Sequence, residues 1–150
     1  AANASGINDG AAAVAVMSAD RAKSLGAAPV ARIVGHASAA HAPEWFTTAP
    51  AKAIAKVLKK TGLTLGDIDL FEINEAFAVV ALAAIDELQL DPQKVNVHGG
   101  AVALGHPIGA SGARILVTLL SAMEQRNVQR GMAAICIGGG EAAAIIVERP

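Results

Sequence analysis

Residues 132–147 have the sequence Met-Ala-Ala-Ile-Cys-Ile-Gly-Gly-Gly-Glu-Ala-Ala-Ala-Ile-Ile-Val. Two apolar runs, 132–137 and 142–147, lie on either side of three consecutive glycines and a glutamate. Apolar runs of this length are typical of strands, and a short glycine-rich connection between two of them is typical of a hairpin. The stretch therefore predicts two apolar strands joined by a tight turn at residues 138–141.

Helix and strand patterns alternate between residue 50 and this hairpin. The predicted elements are a helix from Pro50 to Gly62, a strand over Ile68–Ile73, a helix capped by Asn74 and reaching about Leu88, a short strand over Val95–His98, and a helix that Ser111 opens. An order of this kind places helices on the faces of a sheet. The sequence therefore predicts an α/β domain, a layered mixed sheet covered by helices.

The first part of the chain has a weaker pattern. An apolar run at Ala11–Met17 predicts a strand, Ser18 is placed to cap a short helix that ends near Gly26, and Val30–His36 is a further strand candidate. The Ala11–Met17 run follows closely after Ala1 and has no predicted partner upstream. We therefore expect the chain to be the downstream part of something longer.

Composition and charge narrow the classes of function. Of the 150 residues, 53% are apolar and 17% are charged, which excludes an intrinsically disordered chain. The formal net charge of -1 provides no basic surface, so neither nucleic acid nor a membrane is expected as a partner. No apolar run reaches the ~20 residues of a membrane-spanning helix. Cys136 is the single cysteine and cannot form an intramolecular disulfide, so we expect a reducing, cytoplasmic setting.

Three polar side chains occupy comparable places after predicted strands. Asn74 follows the strand that ends at Ile73, His106 lies in the loop after the next strand, and Cys136 is near the end of a third. Ligands of layered α/β domains collect outside the carboxyl ends of strands, so the three are expected to face one cleft. Two of them also have a structural explanation, Asn74 as a helix cap and Cys136 as a small buried apolar residue.

The segment 99–112 is dense in glycine and leads into a predicted helix. His106 lies in it between Gly105 and Pro107, a flexible and a rigid residue. Glycine-rich loops before a helix commonly bring backbone N–H groups close to a ligand. The segment lacks the Gly-Lys-Ser/Thr ending of a Walker A loop. No metal site is predicted either, because the chain has one cysteine and its histidines are dispersed, without the spacing of metal ligands.

Four stretches of the chain carry longer motifs: 3–13 (Asn-Ala-Ser-Gly-Ile-Asn-Asp-Gly-Ala-Ala-Ala), 74–78 (Asn-Glu-Ala-Phe-Ala), 99–112, and 136–140 (Cys-Ile-Gly-Gly-Gly). In this order and spacing they resemble the thiolase family, in particular its acetyl-CoA acetyltransferases. The resemblance covers essentially the whole chain but only the C-terminal part of a thiolase. It implies that residues 1–43 are the tail end of the family's N-terminal domain and that residues 44–150 form its C-terminal domain.

The resemblance implies a reaction on coenzyme A thioesters, with the thioester as substrate and no separate cofactor. In thiolases one cysteine takes up the acyl group and a second moves a proton at the acyl α-carbon, and Cys136 matches the second. His106 matches the histidine that activates the nucleophile and helps to bind the thioester oxygen. Asn74 matches the residue that holds a water in the same oxyanion site, and the backbone N–H of Gly138 matches a donor to a second oxyanion hole.

The chain also departs from the family's pattern. Phe46 stands where the family has methionine, and with Ala76 and Phe77 it is expected to line the substrate pocket and to favour short acyl chains. His98 stands where many relatives have asparagine, and no role is assigned to it. The nucleophilic cysteine has no counterpart, because Cys136 is the only cysteine.

Two hypotheses of different classes follow. In the first, the chain is the catalytic C-terminal part of a thiolase acting on acetoacetyl-CoA, and an N-terminal half supplies the nucleophile. In the alternative, it is a non-catalytic fragment or subunit that keeps the fold and only binds or dimerises. A ketoacyl synthase relative is disfavoured, because such a protein is expected to carry His or Asn at Cys136. Under either hypothesis we expect an exposed apolar surface where another half packs, and association into a homo-oligomer.

Overall fold

A mixed four-stranded sheet forms the centre of the computed structural model, which describes residues 2–150. Its strands are β1 (Arg32–Ala40), β2 (Leu70–Ile73), β3 (Arg130–Ile137) and β4 (Glu141–Glu148), in the order β1-β4-β3-β2. β4 is antiparallel to both of its neighbours, whereas β2 is parallel to β3. The predicted class, an α/β layered mixed sheet covered by helices, is confirmed.

Helices cover both faces of this sheet. The described helices are α1 (Ala19–Ser24), α2 (Ala49–Thr61), α3 (Ala78–Leu88), α4 (Ala101–Leu104) and α5 (Ser111–Gln125), with short 3-10 helices at Pro43–Thr48, Leu65–Asp67 and Pro92–Lys94. α2 and α3 contribute Ile54 and Val80 to one apolar core, and α5 contributes Leu119 to another. Side chains that alternate along the strands therefore fill two separate cores, one on each face.

The β3–β4 hairpin forms as predicted, with Ile137 paired to Glu141 across a turn of three glycines. Gly140 has a φ of +87°, which residues with a side chain rarely adopt. Its carbonyl accepts a hydrogen bond from the backbone N–H of His41 at 3.0 Å, and a Cβ built on it would lie 2.3 Å from the His41 carbonyl oxygen. Both the turn and the segment that crosses it therefore require glycine at this position.

The predicted ends of two helices are also confirmed. Pro50 lies in the first turn of α2, and Gly62 ends that helix with a φ of +72° while donating its N–H to the carbonyl of Leu58. Ser18 precedes α1, and its hydroxyl accepts a hydrogen bond from the backbone N–H of Arg21. These ends depend on residues within one turn of the helix, which is why the sequence pattern locates them.

Two predicted strands are wrong. Ala11–Met17 pairs with no strand in the described part of the chain, and its residues are mostly exposed. A strand needs a neighbour for its backbone N–H and C=O groups, so an apolar pattern alone does not make one. Within Val95–His98 only Val95 bridges to the sheet, at Phe71, because Asn96 turns the chain with a φ of +48°.

The prediction that Asn74 caps the third helix is wrong as well. α3 begins at Ala78, and the residue before it, Phe77, is still extended. The backbone N–H of Asn74 instead continues the sheet by donating to the carbonyl of Ala134 at 2.9 Å. Residues 3–5 pair with the extended segment that follows, so the helix starts later than the pattern indicates.

The sheet also uses residues from before residue 43. β1 corresponds to the strand candidate Val30–His36, although it begins at Arg32 and continues to Ala40, and it is the edge strand next to β4. The division of the chain into residues 1–43 and 44–150 stays a prediction, and the sheet of this structure has strands on both sides of that position.

Large apolar side chains lie on the surface of the chain, as expected. Ile7 is 86% exposed, Val16 70% and Leu82 60%. Contiguous patches of such side chains mark surfaces that pack against another domain or chain, whereas single exposed ones are common on any protein. Association of isolated copies stays a prediction.

Alanine substitutions at two glycines of the hairpin turn test whether the backbone conformation and close contacts of Gly140 require a glycine there. Gly140→Ala is expected to lower the free energy of unfolding by at least about 1–2 kcal/mol, because the new Cβ meets backbone and forces a left-handed residue. Gly138→Ala is the matched control, since no described atom lies within 4 Å of a Cβ built there. Urea unfolding of both variants measures the difference, and equal destabilisation of the two would contradict the role given to Gly140.

Candidate active site

The end of β2 positions Asn74. The side chain of Asn96 clamps the preceding residue, because its Oδ1 accepts the N–H of Ile73 at 2.8 Å and its Nδ2 donates to the carbonyl of Ile73 at 2.9 Å. Asn74 itself is 1% exposed and donates its N–H to the carbonyl of Ala134. Asn74 is therefore fixed at the carboxyl end of β2 by bonds to two neighbouring segments.

The loop after α4 brings His106 to Asn74. Gly105 turns the chain with a φ of +97°, and the backbone N–H of His106 donates to the carbonyl of Gly6 at 2.8 Å. The imidazole Nε2 lies 3.4 Å from Nδ2 of Asn74, and Nδ1 lies 2.5 Å from Oγ of Ser111. Both ring nitrogens thus have partners from the protein.

The surroundings of His106 favour its neutral form. Burial lowers the pKa of His106, and the positive charge of Arg114 lowers it further. A neutral imidazole has one protonated and one unprotonated nitrogen, so it is able to accept a proton. The ring is therefore in the state that a general base requires.

Cys136 lies on β3, beside the end of β2. The parallel register pairs Ile73 with Ala134, so Cys136 is two residues further along β3, at the same edge of the sheet as Asn74. It is buried in the core that α2 and α3 cover. Burial raises the pKa of the Cys136 thiol, which favours the protonated form and makes the thiolate a stronger base once it forms.

Asn74 and His106 are brought into contact, and Cys136 is placed on the adjacent strand. No hydrogen bond within residues 2–150 joins the thiol of Cys136 to either side chain. All three nevertheless lie at the edge formed by the carboxyl ends of β2 and β3, where we expected them. Their roles in a reaction stay predictions.

Two of the three residues expected to line the substrate pocket lie against the core that contains Cys136, and the third, Phe77, contacts one of them. Phe46 and Ala76 pack against this core. The rings of Phe46 and Phe77 meet edge to face, with centroids 5.9 Å apart, and Phe77 is 37% exposed. The two rings therefore form an apolar wall that is partly open to solvent.

Gly138 lies in the exposed turn of the hairpin, two residues after Cys136. The space around its Cα is open, since a Cβ built there meets no described atom within 4 Å. A ligand can therefore approach the backbone at Gly138 closely.

Glu75 ties the His106 loop to the end of β2. Its Oε1 accepts a hydrogen bond from Nδ2 of Asn96 at 2.9 Å, and its Oε2 accepts one from the backbone N–H of Val102, in the first turn of α4, at 3.1 Å. Gly100 makes room for the carboxylate, because a Cβ there would lie 2.1 Å from the carboxyl carbon. The sequence does not indicate that Asn96 supports the site, since this residue lies within a run that is patterned like a strand.

A buried acid and a half-buried arginine lie behind the site. Glu72 of β2 is 1% exposed, and its Oε2 lies 3.8 Å from Nη1 of Arg114 on α5. Burial raises the pKa of Glu72 to about 7, although the charge of Arg114 lowers it, and the carboxylate of Glu75 adds to the rise. The apolar strand pattern around Glu72 is the signal that its carboxyl group is buried, but nothing in the sequence identifies Arg114 as its partner.

The described part of the chain contains no group of three or more His, Cys, Asp or Glu side chains that could hold a metal ion. It also contains no helix long and apolar enough to cross a membrane. His98, to which no role is assigned, is exposed in the turn before α4.

Comparison with known sequences gives one consistent result. Residues 27–149 match the family described as "Thiolase, C-terminal domain". The chain is 56% identical over 148 residues to the probable acetyl-CoA acetyltransferase of Dictyostelium discoideum and 55% identical over 148 residues to acetyl-CoA acetyltransferase 1 of Arabidopsis thaliana. Each similarity covers 99% of this chain and 36% of the relative. The chain thus spans about a third of the length of these relatives.

Solved structures are similar in fold. The crystal structure of the Bacillus anthracis acetyl-CoA acetyltransferase has a TM-score of 0.93 and 46% sequence identity, covering 99% of this chain and 38% of that one. The crystal structure of human mitochondrial 3-ketoacyl-CoA thiolase has a TM-score of 0.86 and 44% identity, covering 89% of this chain and 34% of that one. The similarity in fold therefore extends over most of the chain.

The raised pKa of Glu72 makes the stability of the chain depend on pH. Between its ordinary value of 4.5 and about 7, the folded chain holds a proton that the unfolded chain has lost, so the free energy of unfolding falls as pH rises through this window. The total decrease in the free energy of unfolding across this window is roughly 3 kcal/mol. Glu72→Gln, which keeps the shape without the titration, is expected to remove this contribution in urea unfolding measured from pH 4.5 to pH 7.

The quantity to follow at each pH is the difference in the free energy of unfolding between the parent chain and Glu72→Gln. His106 acts in the opposite direction, because a lowered pKa costs stability as pH falls below its ordinary value of 6.5, and both chains share this effect. A difference between the two chains that stays constant across the window would contradict the assignment to Glu72.

Proposed function

The chain belongs to the thiolase family, whose C-terminal domain it matches, and on this premise we propose that it forms the C-terminal catalytic part of an acetyl-CoA acetyltransferase. The reaction transfers an acyl group between an enzyme thiol and coenzyme A, with Claisen condensation or thiolytic cleavage of a short 3-ketoacyl-CoA such as acetoacetyl-CoA. The observation that carries the proposal is the contact of His106 with Asn74 at the sheet edge where Cys136 also lies.

Cys136 is proposed to move the proton at the acyl α-carbon. In condensation its thiolate accepts this proton, the resulting carbanion attacks the carbonyl carbon of the acyl thioester, and the nucleophilic cysteine leaves as thiolate. In cleavage the thiol of Cys136 returns the proton to the α-carbon. The buried position supports this role, because a thiol whose pKa is raised yields a stronger base when it ionises.

His106 is proposed to take the proton of the nucleophilic cysteine and to help bind the thioester oxygen. The lowered pKa supports the first task, since the ring is neutral and able to accept a proton. Asn74 is proposed to hold a water in the same oxyanion site. Its buried Oδ1 has no hydrogen-bonding partner within residues 2–150, and a buried polar atom of this kind is suited to bind water.

The remaining site residues are proposed to bind the substrate. The backbone N–H of Gly138, in an open turn, is the proposed donor to a second oxyanion hole, and loss of one such donor typically costs ~10²–10³ in rate. Phe46, Ala76 and Phe77 are proposed to line the acyl pocket. The edge-to-face pair of rings narrows this surface and favours short acyl chains.

A second cysteine must come from elsewhere, because the chain has one. We propose that an N-terminal thiolase half supplies it, that the chain alone is inactive, and that the exposed apolar surface packs against that half or against further copies. A cytoplasmic location is proposed from the lone reduced cysteine.

The single cysteine equally supports the alternative of a non-catalytic fragment that only binds or dimerises.

A thiolysis assay with acetoacetyl-CoA and coenzyme A separates the two functions. The purified chain is tested alone and after mixing with a separately produced N-terminal thiolase half that carries the nucleophilic cysteine. We expect activity in the mixture only. A mixture in which the two parts associate, as judged by sedimentation, and yet release no acetyl-CoA would support the non-catalytic alternative.

Cys136→Ala in the active mixture is expected to keep acyl transfer and to lose carbon–carbon bond formation. Thioester exchange needs the nucleophile, His106 and an oxyanion site, whereas condensation also needs a base for the weakly acidic α-carbon. Exchange of labelled coenzyme A with acetyl-CoA measures the first step, and formation of acetoacetyl-CoA measures the second.

His106→Ala is the matched comparison and is expected to impair both steps by ~10²-fold or more. Condensation near the parent rate in Cys136→Ala would contradict the acid–base role of Cys136. Loss of thioester exchange in that variant, as complete as on removal of the nucleophile, would contradict it equally.

A further inference from the structure

The two ring nitrogens of His106 have partners of different kinds. Nδ1 lies 2.5 Å from Oγ of Ser111, and Nε2 lies 3.4 Å from the amide nitrogen of Asn74. A neutral imidazole carries its proton on one nitrogen only, and the partner of each nitrogen decides which. The tautomer of His106 is therefore set by these two contacts.

The hydroxyl of Ser111 has one proton, and the structure provides an acceptor for it. Oγ lies 3.1 Å from the carbonyl oxygen of Pro107, four residues earlier, which can only accept. With its proton directed there, Oγ accepts the hydrogen bond from Nδ1–H of His106. The amide nitrogen of Asn74 can only donate, so the nitrogen that it faces, Nε2, is the one without a proton.

We propose that Ser111 is a positioning residue that holds His106 in the Nδ1–H tautomer, so that Nε2 carries a lone pair, which only the long 3.4 Å contact with Asn74 engages and which is able to accept a proton. Ser111 acts through His106 and is not assigned a contact with substrate. The use made of that lone pair rests on the proposed function, whereas the tautomer itself does not.

The position of Ser111 suits it to this task. It is 0% exposed in the first turn of α5, and its backbone N–H also donates to the carbonyl of Pro107, at 2.9 Å. It lies five positions after His106 in the chain, so one loop delivers both partners. A hydroxyl fixed in this way restricts the ring orientation as well as its protonation.

The tautomer has a direct consequence for the proposed acyl transfer. The proton leaves the nucleophilic thiol, the S–H bond breaks, and a new N–H bond forms at Nε2, giving a thiolate and an imidazolium. The Nδ1–H bond to Ser111 is already made and is kept in the imidazolium. With the proton on Nε2 instead, that nitrogen has no lone pair to offer, and the first step cannot begin.

Long-range ¹H–¹⁵N NMR of the chain labelled at histidine nitrogen reads the tautomer directly. Spectra are recorded at pH 8, where the ring is neutral, and the His106 signals are identified by their loss in His106→Ala. We expect a protonated Nδ1 and an unprotonated Nε2 in the parent. In Ser111→Ala the proton is expected to shift to Nε2 in most molecules, because Nδ1–H loses its acceptor, the 3.4 Å contact of Nε2 with Asn74 is long for a hydrogen bond, and a neutral imidazole in water prefers that nitrogen.

Two variants control this experiment. Ser121→Ala removes an exposed hydroxyl from the same helix, whose partner is Gln125, and is expected to leave the tautomer unchanged. Ser111→Thr keeps the hydroxyl and is expected to restore the Nδ1–H form. A parent chain with its proton on Nε2 would overturn the proposal even if Ser111→Ala failed to fold, and so would an unchanged tautomer in a folded Ser111→Ala.

A second readout uses the mixture with the N-terminal half. Ser111→Ala is expected to slow thioester exchange about 10-fold, in proportion to the fraction of rings that keep the competent tautomer, and Ser111→Thr to recover it. If the NMR result is as expected and the parent mixture has no activity, the proposed function fails and the role of Ser111 in the tautomer stands. An active parent mixture in which Ser111→Ala exchanges at the parent rate would overturn the link between the tautomer and the reaction.

Discussion

The parallel pairing of β2 with β3 is the constraint on which the site depends. β2 has four residues, all buried, in a register that runs from Leu70 opposite Gly131 to Ile73 opposite Ala134. Because parallel strands end at the same edge, Asn74 leaves the sheet next to the segment that carries Cys136. A slip of one residue would turn the carboxyl of Glu72 toward the apolar core of α2 and α3. The register therefore fixes both the core and the polar edge.

The two groups at this edge that are proposed to move protons, the imidazole of His106 and the thiol of Cys136, are both neutral. Burial keeps the imidazole of His106 unprotonated and the thiol of Cys136 protonated, and it holds the carboxyl of Glu72 near its midpoint at neutral pH. Arg114 is the nearby positive charge, lying within 3.8 Å of Glu72 and acting on His106 as well. Proton transfer to or from His106 and Cys136 begins without separating an ion pair, because the ion pair nearby joins Glu72 to Arg114. This arrangement suits the proposed reaction, which moves protons to and from sulfur and carbon.

The sequence predicted the elements whose signals are local and missed those that depend on distant partners. The hairpin at 132–147 and the stop at Gly62 follow from residues that are adjacent in the chain. Asn74 looks like a helix cap because the sequence does not show that residues 3–5 extend the segment after it. Ala11–Met17 has the composition of a strand but no neighbour within residues 2–150. The contact of Ser111 with His106 requires the closed loop, so only the structure reveals it.

Deuterium uptake into the acetyl group of acetyl-CoA tests the central claim most directly, because it follows the α-carbon proton without requiring a carbon–carbon bond. The measurement is made in D₂O by mass spectrometry, with the chain and an N-terminal thiolase half mixed. We expect uptake above the uncatalysed rate, lost in Cys136→Ala and kept in Ser121→Ala. Uptake at the parent rate in Cys136→Ala would contradict the claim that the edge of β2 and β3 carries the base of the reaction.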